Sequence, residues 1–505
     1  MVAILKSAVN IGLTPHELTI EVDISSGLPM TTIVGLGDKA VTESKERIRT
    51  AIKSSGYEFP LGRITINLAP ADLVKTGSSL DLPIAVGILT HMKKIPALEI
   101  TDIIVGELGL TGEVRPVTGI LNILLGAQKS SKKRVFIPFE NRHEILPMQG
   151  LEVYPVKYLS QLIDFLSGVE SVLEVWEAKN NHKTPQISAD LVDFADIQGQ
   201  ILAKRALVIA ASGGHNTLLI GDPGSGKTLM ARAVPGILPE LTRDELLEVN
   251  AIYSGAGLLK VRELLTVRPF RSPHHTSSHI SLVGGGSKIR PGEITLAHKG
   301  VLFLDEFPEF RRETLEALRQ PLEDGEISIA RASGSAIYPA RFMLIAAANP
   351  TPHGSNEDVS GVVYNDVRSR KYREKFSGPL MERFDLFVYT IKEGKDDSTH
   401  RATSAELQVQ VTKTRLIQAL RYQNLSISTN SELTASTIEE FCGLNTETQT
   451  LLEGARTKLG LSLRAVHRIL KVARTIADLE ESKNIELAHL AEAIQFRQFS
   501  FGAPR

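Results

Sequence analysis

Thr217-Leu218-Leu219-Ile220 runs directly into Gly221-Asp222-Pro223-Gly224-Ser225-Gly226-Lys227-Thr228, and this junction is where the chain is best equipped for chemistry. A short apolar run, then the pattern G-x-x-x-x-G-K-T, then the helix formers Leu229 to Ala233, gives the order strand, loop, helix. Glycines at 221, 224 and 226 let consecutive backbone N–H groups turn inward on phosphate oxygens. Lys227 is suited to the β and γ phosphates of ATP and Thr228 to Mg²⁺, and the following helix presents its positive end to the same anion. A Gly-rich turn that binds nothing is the competing reading, and the flanking strand and helix weigh against it.

A second cluster follows downstream. Val301-Leu302-Phe303-Leu304 reads as a buried parallel strand ending in Asp305-Glu306. Such strand ends are where open α/β sheets hold ligands, so Asp305 is expected in the Mg²⁺ shell and Glu306 polarising an attacking water. A third apolar strand, Phe342 to Ala348, ends in Asn349-Pro350. Asn349 is placed there to orient the water or sense the γ phosphate, although Asn-Pro is also a common turn pair.

The elements that must position these residues need more than one core. At 505 residues the chain is expected to form roughly three units. A net charge of −1 excludes a polycation that coats nucleic acid indiscriminately, so such contacts have to come from local patches or assembly. The single cysteine, Cys442, excludes an intrachain disulfide and a cysteine zinc cluster, and fits a reducing cytoplasm. Apolar runs are shorter than a membrane span, and the N-terminus does not read as a signal peptide. The expected organisation is an α+β unit over 1–168, a polar linker over 169–192, an α/β unit over 193–395 and a helical unit over 396–505. Period-two patterns at Leu18, Ile20, Val22, Ile24 and at Ile64, Ile66, Leu68 predict N-terminal strands. Ile48, Ala51 and Ile52 predict a helix between them, stopped at Gly56. Ala203, Ala206, Leu207 and Ala210 predict another helix leading into the phosphate-loop strand.

Two resemblances extend these readings. Lys75-Thr76-Gly77-Ser78-Ser79, with Gly106-Glu107-Leu108-Gly109 and Thr111-Gly112-Glu113-Val114-Arg115-Pro116 later, resembles the proteolytic domain of Lon-type proteases. Ser79 falls where the family has its nucleophile, but Leu121 stands where its lysine base should be. A serine without a base stays protonated, so the fold is expected without the peptidase, with Lys75 as the one alternative base. The phosphate loop, Asp305-Glu306 and Asn349 together resemble AAA+ ATPases. Arg268-Pro269-Phe270-Arg271-Ser272-Pro273-His274-His275-Thr276, Leu282 to Gly286 and Arg290 to Gly300 resemble the magnesium-chelatase-like subgroup. The combination with a Lon-like N-terminal domain is similar to the bacterial YifB/ComM family over nearly the whole length. The resemblance implies an AAA+ P-loop domain with a helical C-terminal lid, assembly into a homo-oligomeric ring, typically a hexamer, and ATP-driven movement on DNA. In the competence-associated members that movement is helicase activity and branch migration during natural transformation, with recombination proteins as further partners. It also implies that Arg383, in Met381-Glu382-Arg383-Phe384-Asp385, acts as an arginine finger in the neighbouring subunit, and that Arg464 reaches the γ phosphate from the lid.

Lys288, Arg290 and Arg331 are the expected contacts to a DNA backbone, on the glycine-rich segment from Ser281 to Lys288 and beside it, and on a hairpin over 327–337 with its turn at Ser333-Gly334. His274, His275 and His279 lack the cysteine or carboxylate that would complete a zinc site. Arg468 and Lys471 carry no assigned role. Rival readings are a metal-insertion motor, an ATP-dependent protease and a remodeller of a protein partner.

Overall fold

The computed structural model describes residues 2–75, 77–176, 192–259, 264–286, 289–331, 334–350, 380–390, 401–425 and 427–497. Most of the expected linker lies outside these residues, as do Thr76, Lys288 and the start of the arginine-finger segment.

The N-terminal unit is built on a four-stranded sheet in the order Ala3–Ile11, Thr14–Ser25, Arg63–Ala69, Met30–Val34. Leu18, Ile20 and Val22 alternate inward on the second strand, where Thr19 to Ser25 pair antiparallel with Ala69 to Arg63. The helix Lys39–Ser54 starts where Asp38 accepts a bond from the Val41 amide at 2.9 Å, and it stops before Gly56, whose φ of 88° a side chain would disfavour. Packing continues past residue 168: Leu173 joins this core and the Trp176 amide bonds the Val153 carbonyl at 2.8 Å.

In the central unit five parallel strands lie in the order Phe270–Arg271, Val301–Leu304, Met343–Ala348, Thr217–Gly221, Leu386–Thr390. The inner strands are buried throughout because each face carries its own core. Leu219, Phe303, Ile345 and Val388 enter one, and Leu218, Leu302, Leu304 and Leu344 the other. The C-terminal helices Ser404–Arg421, Ala435–Phe441, Thr446–Leu459, Leu463–Leu479 and Leu487–Gln495 pack on the first of these faces. The buried face of Leu463–Leu479 is its apolar one, running through Val466, Ile469, Leu470, Ala473, Ile476 and Ala477. No described helix is long and apolar enough to cross a membrane.

The predicted hairpin forms from Glu326–Arg331 and Gly334–Pro339, antiparallel. Its last pair is Arg331 with Gly334, so Gly334 belongs to the second strand and not to the turn expected at Ser333-Gly334; residues 332 and 333 lie outside the described residues.

Candidate nucleotide site

Each site residue is delivered by a strand end. Gly221 closes the phosphate-loop strand, and a Cβ there would stand 2.0 Å from Thr390 Oγ1, so this position admits no side chain. Gly224 and Gly226 take φ of 81° and 85°, and a Cβ at either would meet nothing within 4 Å. That open, left-handed backbone leaves room for a phosphate to approach the loop amides. Gly226 also caps the helix Lys227–Ala233.

Lys227 is almost fully buried and its ammonium donates to the carbonyls of Gly221 at 2.5 Å and Asp222 at 2.8 Å, and to Asn349 Oδ1 at 3.2 Å. Burial pushes its pKa below the ordinary lysine value, and Asp305 and Asp222 oppose that shift. Thr228 Oγ1 donates to Asp305 Oδ2 at 2.7 Å. The other Asp305 oxygen accepts the Glu306 amide at 2.9 Å. An uncharged hydroxyl beside a carboxylate is an oxygen-only donor pair of the kind Mg²⁺ takes, so the residues present fit that ion. Asp222, Pro223 and Ser225 complete the loop. Ser225 is held from both sides, its Oγ 2.7 Å from Thr390 Oγ1 and its carbonyl accepting from Gln200 Nε2 at 3.4 Å.

Glu306 sits at φ 51° and ψ 43°, unusual for a residue with a Cβ. Its half-exposed carboxylate pairs with His275 Nδ1 at 3.0 Å. From sequence His275 is considered only as a zinc ligand, and its pairing with Glu306 is not anticipated. The signal was available, since His275 follows the outer strand Phe270–Arg271 and therefore lies at the same edge of the parallel sheet as Asp305.

Arg383 and Arg464 are elsewhere. Arg383 precedes the strand Leu386–Thr390, and its carbonyl accepts from Asn216 Nδ2 at 3.2 Å, beside the start of the phosphate-loop strand. Because those two strands are parallel, the loop lies at their far ends, more than about 13 Å away at the rise of a β-strand. The Arg383 guanidinium is buried and paired with Glu323. Arg464 pairs with Glu382 at 3.1 Å, next to Arg383. Arg464 therefore stands away from the phosphate loop of its own chain, its helix beginning at the opposite edge of the sheet. Arg468, unassigned from sequence, anchors that helix through Asp385 at 2.5 Å, and Lys471 donates to the Ser431 carbonyl at 2.9 Å.

Of the other predicted residues, Arg290 is exposed on a two-residue strand paired with Gly284–Gly285. The Arg331 backbone closes the hairpin, and Lys288 lies outside the described residues. In the N-terminal unit the Lys75 ammonium is directed at the Pro70 carbonyl and Ser78 Oγ at Glu107, while Leu121 is fully buried.

Three family models match the chain. Magnesium chelatase subunit ChlI matches residues 193–398, the ChlI C-terminal model residues 401–497, and a further model for subunit ChlI of Mg-chelatase residues 20–141. Competence protein ComM of Haemophilus influenzae is 42% identical over 98% of this chain and 97% of its own length. The chain belongs to the ComM/YifB family of magnesium-chelatase-like AAA+ proteins. YifB of Escherichia coli, another family member, is 40% identical over 98% of this chain and 97% of its own. The chain is also similar to DNA helicase MCM8 of Bos taurus, 26% identical over 42% of this chain and 22% of that protein.

Proposed function

We propose that this chain is an ATPase that works as a ring of identical subunits, typically six, and drives DNA through the ring's centre. The observation that carries it is the separation of Lys227, Thr228, Asp305, Glu306 and Asn349 at one edge of the sheet from Arg383 and Arg464 at the other. A site with an arginine at its back completes itself only against a second copy, and a ring lets every copy do so.

In this reading the glycine-lined loop and Lys227 hold the triphosphate, and Asn349, bonded to Lys227, lies beside the γ phosphate. Thr228 and Asp305 hold Mg²⁺, which when bound neutralises charge on the β and γ oxygens. Glu306, tethered by His275, orients the attacking water. Arg383 leaves Glu323 to enter the neighbouring subunit's site, an interaction worth roughly a thousandfold or more in rate. Arg464 travels with it, because Glu382 and Arg383 are adjacent.

DNA as the polymer is supported by the relatives' names, a competence protein and a DNA helicase, and by Arg290 and Arg331 on the insertions. Branch migration during natural transformation, with recombination proteins as partners, is the finer form of this reading, and the competence name of the Haemophilus relative supports it. The magnesium-chelatase description of the family models favours a second reading, a metal-insertion motor. ATPase rates with and without single-stranded and forked DNA separate the two. Stimulation and salt-sensitive binding support the DNA motor, and the absence of both overturns it.

A further inference from the structure

The two insertions read as DNA-facing meet at a third element from the other end of the chain. Strands Ala3–Ile11 and Thr14–Ser25 are joined by a two-residue turn, Gly12-Leu13, closed by the pair Ile11 with Thr14. Gly12 has φ of 62°, and a Cβ there would lie 2.6 Å from Ala336 Cβ and 3.3 Å from Tyr338 Oη. Both residues belong to the second strand of the hairpin. Leu13 packs against the core under the hairpin and against the small core on the helix Arg243–Ala256.

Behind this contact the two insertions are locked together. Tyr338 is fully buried and its hydroxyl donates to the Ile289 carbonyl at 3.1 Å. A Cβ at Gly284 would stand 3.0 Å from Ile329 Cδ1, so the glycine-rich segment also rests on the hairpin's first strand. The turn itself is held from the rear: Asn10 Nδ2 donates to the Gly119 carbonyl at 2.9 Å, and the Gly119 amide donates to the Ser254 carbonyl at 3.0 Å.

We propose that the Gly12-Leu13 turn is the control contact through which the N-terminal unit sets the position of both insertions, making that unit a built-in regulator of the polymer-gripping elements. The turn meets the hairpin's second strand through Gly12, at the shared base of the two segments that project from the sheet, while Leu13 packs on the core that also covers that face of the sheet. A shift of the N-terminal unit is thus transmitted to the hairpin and, through Tyr338 and Ile289, to the glycine-rich segment. Only the identity of the gripped polymer rests on the DNA reading above.

The test uses the full-length protein with Gly12→Val, which clashes with Ala336, and separately Leu13→Ala, which loosens the contact without a clash. Hydrogen exchange without nucleic acid reads the brace. Amides 327–331 and 334–338 are expected to exchange about tenfold faster in both variants, with amides 301–304 and 343–348 unchanged as an internal check on folding. ATPase assays read the control: basal rate within about twofold of wild type, stimulation by single-stranded DNA lost. Unchanged hairpin exchange in Leu13→Ala overturns the brace. Faster exchange with normal DNA stimulation overturns the control role. If wild-type protein shows no DNA response, the DNA reading fails, and the exchange result still decides the brace.

Discussion

His275 Nδ1 stands 3.0 Å from the carboxylate of Glu306, reaching it from the segment after an outer strand. The imidazole is itself flanked, 4.1 Å from the His274 ring and edge-on to Phe310 at 6.5 Å. A long, half-exposed side chain on a left-handed residue has many rotamers, and this partner selects one. His275→Ala is expected to lower the ATPase kcat about tenfold while nucleotide affinity is retained, and His275→Asn to keep most of the activity. Steady-state rates alongside ATP-binding titrations check this; an unchanged kcat in His275→Ala removes the tether.

Lys227 and Glu306 stand at the same sheet edge but are expected to fail differently. Lys227→Ala removes the ammonium held by Gly221, Asp222 and Asn349 and should abolish ATP binding. Glu306→Gln keeps shape and hydrogen bonding yet loses the charge that polarises water, so it should bind ATP and stall. Equilibrium binding and single-turnover hydrolysis distinguish the two, and normal hydrolysis by Glu306→Gln would remove the assignment.

Arg383 and Arg464 lie at the edge away from their own phosphate loop. Arg383→Ala subunits and Glu306→Gln subunits, each inactive alone, should regain activity when mixed, because an intact loop and carboxylate in one subunit then meet an intact arginine in its neighbour. Arg464→Ala should be rescued by Glu306→Gln subunits in the same manner. No recovery for either would return that arginine to its own chain.

Asp385 is fully buried between Arg468 at 2.5 Å and His215 Nδ1 at 3.4 Å. Burial opposes its ionisation, but the Arg468 charge and the His215 bond outweigh it and hold the carboxyl well below the usual carboxylate range. A folded-state value below the unfolded one contributes stability that is full above the unfolded pKa, about 4, and is lost as pH falls from there toward the folded value. Thermal melts should therefore weaken below about pH 4, and Asp385→Asn should flatten that slope while costing about 3 kcal/mol at neutral pH by leaving Arg468 unpaired. An acid slope identical to wild type would contradict the pair's role.

The nucleotide edge was legible because local pattern and tertiary placement coincide there. A glycine-spaced loop after an apolar strand, and carboxylates after another, declare their positions when the sheet is parallel and strand ends converge. Boundaries were less legible: Leu173 and Trp176 pack beyond the expected end of the N-terminal unit because a short polar-flanked segment carries no periodicity. Gly334 also pairs within the hairpin's second strand, in a register that puts Ile327, Ile329, Ala336 and Tyr338 together into the core.

By itself the amino-acid sequence determined where the candidate nucleotide site lies: Lys227, Thr228, Asp305, Glu306 and Asn349 carry their types and spacing openly, since phosphate binding would need particular groups at strand ends. Only the tertiary structure decided partnership. Which edge holds Arg464, that His275 meets Glu306, and that Gly12 meets Ala336 depend on strand order and helix placement between residues far apart in the chain. Such pairings are set by packing of whole elements, which no local pattern encodes.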